Sequence, residues 1–387
     1  MLEAIRHHSD DKTKETGSAP LRIAQIAPLI EAVPPRLYGG TERVVAHLAD
    51  ALVTLGQDVT LFASGDARTR ARLVAVRDQA IRLDPAPLKS ELAAHLSMLH
   101  EVRHRADEFD VLHFHIDLLH FPFFEHLARR TLTTIHGRLD FADLAEAYRH
   151  WHDYPLVSIS FSQRRPLPFG NWMATVHHGI PEDLFDFSPA HRGYLAFVGR
   201  ISPEKRVDRA IEIAQRAGMP LRIAAKVDPV DAAYFRQEIK PLLAAPGVEY
   251  LGEIDDAGKN EVLGGAAALV FPIDWPEPFG LVMIEAMACG TPVIAWDAGS
   301  TREVIDEGAS GCIVKSIDEA AEAVDRVLAF DRRRVRKMFE RRFSAATMSK
   351  NYLRLYSRLV QAPLDSDDYA RSRPQRRVAA AHGAVRA

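Results

Sequence analysis

The chain has 387 residues, 47% hydrophobic and 26% charged, with a formal net charge of −3. That length exceeds a comfortable single core and points to two domains of ordinary globular composition. The charge balance gives no electrostatic reason for a nucleic-acid partner, and no apolar run reaches the roughly 18 residues that a membrane-spanning helix needs.

In chain order, residues 1–19 (MLEAIRHHSDDKTKETGSA) lack the apolar segment of a signal peptide and are expected to be a disordered polar tail. Alternating patterns then predict strand 22–27, helix 41–55 stopped by Gly56, strand 58–63 and a helical stretch near 88–107. Strands near 110–115, 131–135, 156–160 and 174–177 follow. Gly39-Gly40 reads as a glycine turn and Thr41 as a helix N-cap with Glu42 in the first turn. Such a turn either lets backbone at Gly40 approach a ligand or simply joins loop to helix. It is not a GxGxxG dinucleotide fingerprint. Among His113, His115, His120, His126, His136, His177 and His178 no Cys or HExxH pattern completes a ligand set. Structural or surface histidines are therefore expected, and no metal site. His136 stands apart, because it follows strand 131–135 and precedes Gly137, where the crevice of a parallel sheet is expected.

A hinge is expected around Pro181 to His191. Beyond it the pattern predicts strand 194–198, helix 207–217, strand 221–225, helix 230–244 and strand 248–251. Next come helix 256–264, strand 268–272, helix 280–289, strand 292–296, helix 301–307, strand 311–314 and a long basic helix 318–342. Arg200 and Lys205, in YLAFVGRISPEK, follow the carboxyl end of a strand. There they could hold a diphosphate, arginine as a planar fork and lysine as a point charge; singly, each also reads as a surface cation. Lys226 ends the next strand, and either reaches a nucleotide or is a surface lysine.

The most informative stretch is FPIDWPEPFGLVMIEAMACGTPVIA, residues 271–295. Pro276 and Pro278 hold Glu277 in a loop. Gly280 opens a helix that is apolar on every side except at Glu285, so a carboxylate is carried into the interior, where it needs a polar partner. The helix N-terminus at Gly280 to Val282 suits phosphate, Glu277 suits sugar hydroxyls and Glu285 suits a ribose diol. The plain alternative is one N-terminal carboxylate and one buried, hydrogen-bonded glutamate.

Gly199-Arg200 with Lys205, then Glu277 and Glu285 within EPFGLVMIEAMACGTPVIA, closely resembles the retaining glycosyltransferases of family 4, which have GT-B architecture. The resemblance spans roughly residues 20–360 and takes in RIAQIAP, YGGTERVV, DVLHFHIDLLHFP, TIHG and VHHGIP. It implies an α/β fold of two doubly wound Rossmann-like domains facing a cleft, with residues 20–180 on the acceptor side and 181–344 binding the nucleotide sugar. Residues 345–361 would cross back as a helix completing the first domain, and 362–387 would be a disordered tail.

It also implies a nucleotide-diphosphate sugar as donor substrate, a UDP-sugar favoured over GDP-mannose, a glycan, lipid-linked or small-molecule acceptor, and no cofactor or metal. The Asp365-Ser366-Asp367 run reads as chance. Arg200 and Lys205 would stabilise the diphosphate, and Glu277, with backbone from Phe279 through Gly280 and Leu281 to Val282, would hold the sugar. Glu285 would take the ribose, Gly40 would approach the donor phosphate on closure, and His136 would lie beside the transferred sugar. One departure is Asp297-Ala298-Gly299, where the family often has a glycine pair; Ala298 would narrow the donor pocket or shift the backbone.

Three rival readings remain open at this point. One is a GT-B epimerase or phosphorolytic enzyme, and another is a non-catalytic nucleotide- or carbohydrate-binding protein. The third is a membrane-surface protein built on the basic run 331–342. Two cysteines in apolar contexts, Cys289 and Cys312, point to a reducing compartment, hence a cytoplasmic protein with room for peripheral contact at the inner membrane face.

Overall fold

The computed structural model, which describes residues 19–361, contains two sheets whose strands all pair in parallel. The first comprises β1 (Arg22–Ile26), β2 (Asp58–Ala63), β3 (Arg72–Ala75), β4 (Val111–Phe114), β5 (Thr131–Thr134), β6 (Leu156–Ser158) and β7 (Trp172–Thr175), in the order 3-2-1-4-5-6-7. The second comprises β8 (Tyr194–Arg200), β9 (Leu221–Lys226), β10 (Val248–Gly252), β11 (Ala266–Phe271), β12 (Val293–Trp296) and β13 (Gly311–Val314), in the order 10-9-8-11-12-13. Central strands such as AAALVF of β11 are buried throughout, as strands covered by helices on both faces must be. In both sheets the order reverses beside the first strand, which leaves a crevice at the carboxyl ends of β1/β4 and of β8/β11.

The crossovers carry helices α1 (Gly40–Thr54), α2 (Glu91–His104), α3 (Phe121–Phe124) and α4 (Leu144–His150) in the first half. The second half has α5 (Val207–Arg216), α6 (Ala232–Tyr234), α7 (Asp256–Gly265), α8 (Leu281–Ala288), α9 (Thr301–Val304), α10 (Ile317–Leu328), α11 (Arg332–Phe343) and α12 (Ala345–Gln361). Helix α12 packs on α1. Its Met348, Tyr352, Leu355 and Tyr356 join Ile23, Val44 and Leu48 in one buried cluster.

Several elements differ from the sequence reading. The edge strand β3 was not expected; it has two exposed and two half-buried residues and therefore little hydrophobic signal. Helix 230–244 is a series of short turns, interrupted at Pro241, which has no N–H to continue a helix. The single helix 318–342 is two helices. Asp331 caps the second by accepting from Arg333 N at 2.9 Å. The break lets Ala323, Val324 and Val327 pack in one core while Val335, Phe339 and Phe343 pack in another. Thr41 is not an N-cap: α1 begins at Gly40, and its cap residue is Gly39, without a side-chain hydrogen bond. Glu42 is buried and accepts from Glu31 N at 3.3 Å.

Candidate active site

The two crevices face one another across a cleft of about 290 Å³. Gly40, His136, Lys205, Lys226, Glu277, Phe279, Gly280, Leu281, Val282 and Glu285 all line it. Arg200 does not. Its guanidinium is turned to Glu204 and lies within 3.7 Å of Asp228 and 3.5 Å of Asp231. The departure is electrostatic, since three carboxylates compete for the one cation.

The glutamate loop owes its position to small residues. Gly280 caps α8 with φ +80, a conformation that favours glycine, and no side chain caps the helix. Leu281 and Val282, which open α8, line the cleft and leave their N–H groups for an anion, while Met283 N bonds Gly280 O at 3.0 Å. Gly299, with φ +59, lies under the Glu277 backbone; a Cβ there would sit 2.3 Å from Glu277 N and 2.4 Å from its carbonyl oxygen. Ser300 N donates to Glu277 O at 3.0 Å, and Ser300 Oγ donates to Phe279 O at 2.8 Å. The glycine that this approach requires is thus Gly299, and Ala298 packs beside the core without entering the close contact.

Charge in the cleft is arranged in pairs. Lys205 donates to Glu277, whose Oε2 also accepts from Trp275 Nε1 at 3.1 Å. The lysine ammonium lies 4.7 Å from the Trp275 ring centroid. Glu285, 4% exposed, receives Lys259 Nζ at 2.7 Å. Lys259 also reaches Asp256 at 3.0 Å, and Asp256 meets Arg43 of α1 at 2.6 Å. This four-residue chain crosses from the first half to the second. Burial alone would raise the Asp256 pKa, but Lys259 and Arg43 together draw it below the ordinary value. Lys226 pairs with Asp228 at 2.9 Å and faces the Tyr38 ring. A second tie lies at the hinge side, where Glu303 of α9 accepts from Phe161 N and Ser162 N, each at 2.7 Å, and from His177 at 3.1 Å.

On the opposite wall His136 is half-buried, 2.9 Å from His115 and stacked on His178, which packs against Phe279. Among the described residues no group of three His, Cys, Asp or Glu could hold a metal; His113, His115 and His120 are core side chains hydrogen-bonded to one another's neighbours. Beside His136 a second cavity of about 350 Å³ shares Thr41, His136 and Gly137 with the cleft. Asp117, with a positive-φ backbone, lines it and is itself exposed, and desolvation by the surrounding protein raises its carboxyl to about 6.

Sequence reasoning missed Arg43, Asp256, Lys259, Asp117 and Gly299. The αL demand on Gly299 had a sequence signal in the D-A-G-S turn. The others converge from separate segments and had none. In the basic run, Arg332 is buried and donates to the carbonyls of Ser188, Ala266 and Gly264, and Arg336 and Arg342 likewise bond main-chain oxygens. Only Arg333, Arg334, Lys337 and Arg341 of this helix are exposed, so three of the seven cations of the supposed membrane face are internal glue. Among the described residues no helix is long and apolar enough to cross a membrane.

Two family models cover most of the chain: glycosyltransferase family 4 matches residues 38–197, and glycosyl transferases group 1 matches residues 185–342. The phosphatidyl-myo-inositol mannosyltransferase of Mycobacterium leprae is 27% identical over 78% of this chain and 85% of its own. The alpha-maltose-1-phosphate synthase of Mycolicibacterium smegmatis is 32% identical over 36% of this chain and 37% of its own. Among solved structures, sucrose-phosphate synthase of Thermosynechococcus elongatus superposes with a TM-score of 0.71 at 20% identity, covering 89% of this chain and all of that one. HepE of Anabaena, solved with UDP and glucose, superposes with a TM-score of 0.68 at 19% identity, covering 87% of this chain and all of that one.

Proposed function

The chain belongs to the family 4 glycosyltransferases of GT-B architecture, and we propose that it moves a hexosyl unit from a nucleotide-diphosphate sugar to an acceptor hydroxyl with retention of configuration. The observation that carries this reading is the convergence of Lys205, Glu277, Glu285 and the open N-terminus of α8 on one cleft. A UDP-sugar is favoured over GDP-mannose as donor, in keeping with the UDP-glucose, UDP and glucose bound by HepE. The mannosyltransferase relative supports the hexosyl class.

In this proposal the diphosphate rests on Lys205 and the first turn of α8. Arg200 joins when it releases Glu204. Glu285 takes the ribose diol, and Lys226 lies within reach of the nucleotide. As the C1–O bond breaks, charge grows on the leaving phosphate oxygen, and these fixed positive groups stabilise it. Glu277 and backbone at Phe279 to Val282 hold the sugar, with His136 on its other side and Gly40 close to the donor phosphate. The acceptor oxygen bonds to C1 on the face that the phosphate leaves, and its proton passes to the departing phosphate oxygen. No cofactor is required, and the cations named replace a metal; undiminished turnover in EDTA tests that point. The setting proposed is cytoplasmic, with the exposed side chains of α11 available for weak contact with an anionic membrane surface.

The test is nucleotide release from UDP-glucose, UDP-galactose and GDP-mannose over a panel of glycan, lipid-linked and small-molecule acceptors, with the product anomer read by NMR. An α-linked product from one donor supports the proposal. A β-linked product would overturn retention, and no acceptor-dependent release from any donor would overturn transfer.

A further inference from the structure

Behind His136 runs a buried hydrogen-bonded chain. The Tyr352 hydroxyl is 2.9 Å from Thr134 Oγ1, which is 2.8 Å from His113 Nε2. His113 Nδ1 is 2.8 Å from the Tyr356 hydroxyl, and Gln25 Nε2 is 3.0 Å from that same hydroxyl. Gln25 Oε1 lies 2.8 Å from His115 Nε2, and His115 Nδ1 lies 2.9 Å from His136 Nε2. Gln25, His113, Thr134 and Tyr356 are wholly buried. At the cleft end, His136 Nδ1 is shielded from water and has no partner.

The chemistry of the groups sets the direction of the bonds that run from Tyr356 to His136. A phenol is the stronger acid and an imidazole lone pair the stronger base, so Tyr356 O–H donates to His113 Nδ1. The phenol oxygen then accepts from the Gln25 amide N–H, and Gln25 turns its carbonyl to His115. A carbonyl only accepts, so His115 carries its proton on Nε2 and offers a lone pair at Nδ1. That lone pair receives the Nε2–H of His136. Burial pushes His113 and His115 well below the ordinary histidine value, and His136 down to about 3, so no ring gains a second proton near neutrality. His136 Nδ1 is left as an unpaired acceptor just beneath the surface of a ring that lines the cleft, and a buried polar atom without a partner calls for an explanation.

We propose that Tyr356, Gln25 and His115 are positioning residues that hold His136 in its Nε2–H tautomer, so that Nδ1 accepts a hydrogen bond from one donating hydroxyl of the transferred sugar. This deepens the transferase reading and rests on it. The consequence is a specificity filter: a sugar with fluorine, hydrogen or a methoxy group at that position brings no donor and leaves Nδ1 unpaired. The opposite tautomer would accept fluorine or methoxy. The C-terminal helix α12, through Tyr356, thereby helps to set which sugars the distant cleft selects.

The experiment uses full-length protein labelled with 15N-histidine, with His136→Gln to assign the signal, and UDP-glucose with its monodeoxyfluoro analogues as probes. Ligand-free wild type should show His136 protonated at Nε2 and bare at Nδ1. One fluoro analogue should lose at least about a hundredfold in kcat/KM. Gln25→Met should mix the tautomers and shrink that penalty at least about tenfold; Tyr356→Phe should do the same, and serves if Gln25→Met does not fold. A proton on Nδ1 in wild type, or variants that lose stability while keeping tautomer and penalty, would overturn the proposal. The NMR measurement needs no donor, so failure of the tautomer and failure of the transferase reading are told apart.

Discussion

Lowering the pH from 7.5 to 5.5 should unfold the first half of the molecule before the second. His113, His115, His120 and His178 are buried, at 0%, 3%, 0% and 4% exposure, and all lie before the hinge. Burial lowers the pKa of each well below the ordinary value. A base whose folded pKa is depressed binds fewer protons folded than unfolded, so its contribution to stability is lost as pH falls through about 6.5. Across this interval each ring costs about 1.4 kcal/mol, and four together cost about 5 kcal/mol. That matches the whole stability of a marginal domain, which starts at about 5 kcal/mol. His47 and His136, less enclosed, act in the same direction. Asp117, Glu31 and Glu42 work in the opposite sense, because burial raises their carboxyl pKa values, but they are fewer and partly open or paired. Hydrogen exchange with urea titration at the two pH values is the assay. Protection should fall at residues 111–178 while 194–343 holds. Equal midpoints and equal protection at pH 5.5 would refute the reasoning.

Three substitutions test the cleft itself. Gly299→Ala drives a methyl into the Glu277 backbone and should cut kcat/KM by about a hundredfold, since small misplacements of positioning groups have that effect; kinetics within threefold of wild type would contradict the close contact. Lys205→Ala should lower kcat at least tenfold, about 1.4 kcal/mol in the barrier, and unchanged turnover would remove Lys205 from the diphosphate. Lys259→Met leaves Glu285 buried without its cation and should destabilise the protein by about 3–5 kcal/mol in urea. A loss below 1 kcal/mol would mean that water or another group already serves Glu285.

The sequence was most legible where one segment carries the whole signal. Glu277 and Glu285 lie in a single strand–loop–helix unit, so the prolines, Gly280 and the apolar helix around Glu285 could be read together. Lys205 and Lys226 follow strand ends that their apolar runs made visible. What escaped was whatever depends on distant neighbours. Arg200 reads as a diphosphate cation until Asp228 and Asp231 appear beside it. Lys259 looks like a surface lysine until α7 packs against α8. The helix 318–342 looked continuous because every residue from 318 to 342 tolerates helix, and only the need to serve two cores breaks it at Asp331. The expected tail 1–19 lies all but wholly, and the expected tail 362–387 wholly, outside the described residues, together with Asp365-Ser366-Asp367.

The most direct test of a donor site at Glu285 is a thermal-shift panel of UDP, GDP, ADP and dTDP, with Glu285→Ala as control. A nucleotide at a hundred times its dissociation constant stabilises by about 2.7 kcal/mol, which is readily seen. UDP should raise the melting temperature most and lose that effect in Glu285→Ala. Flat curves for all four nucleotides, or an undiminished shift in the variant, would contradict a nucleotide-sugar site at this cleft.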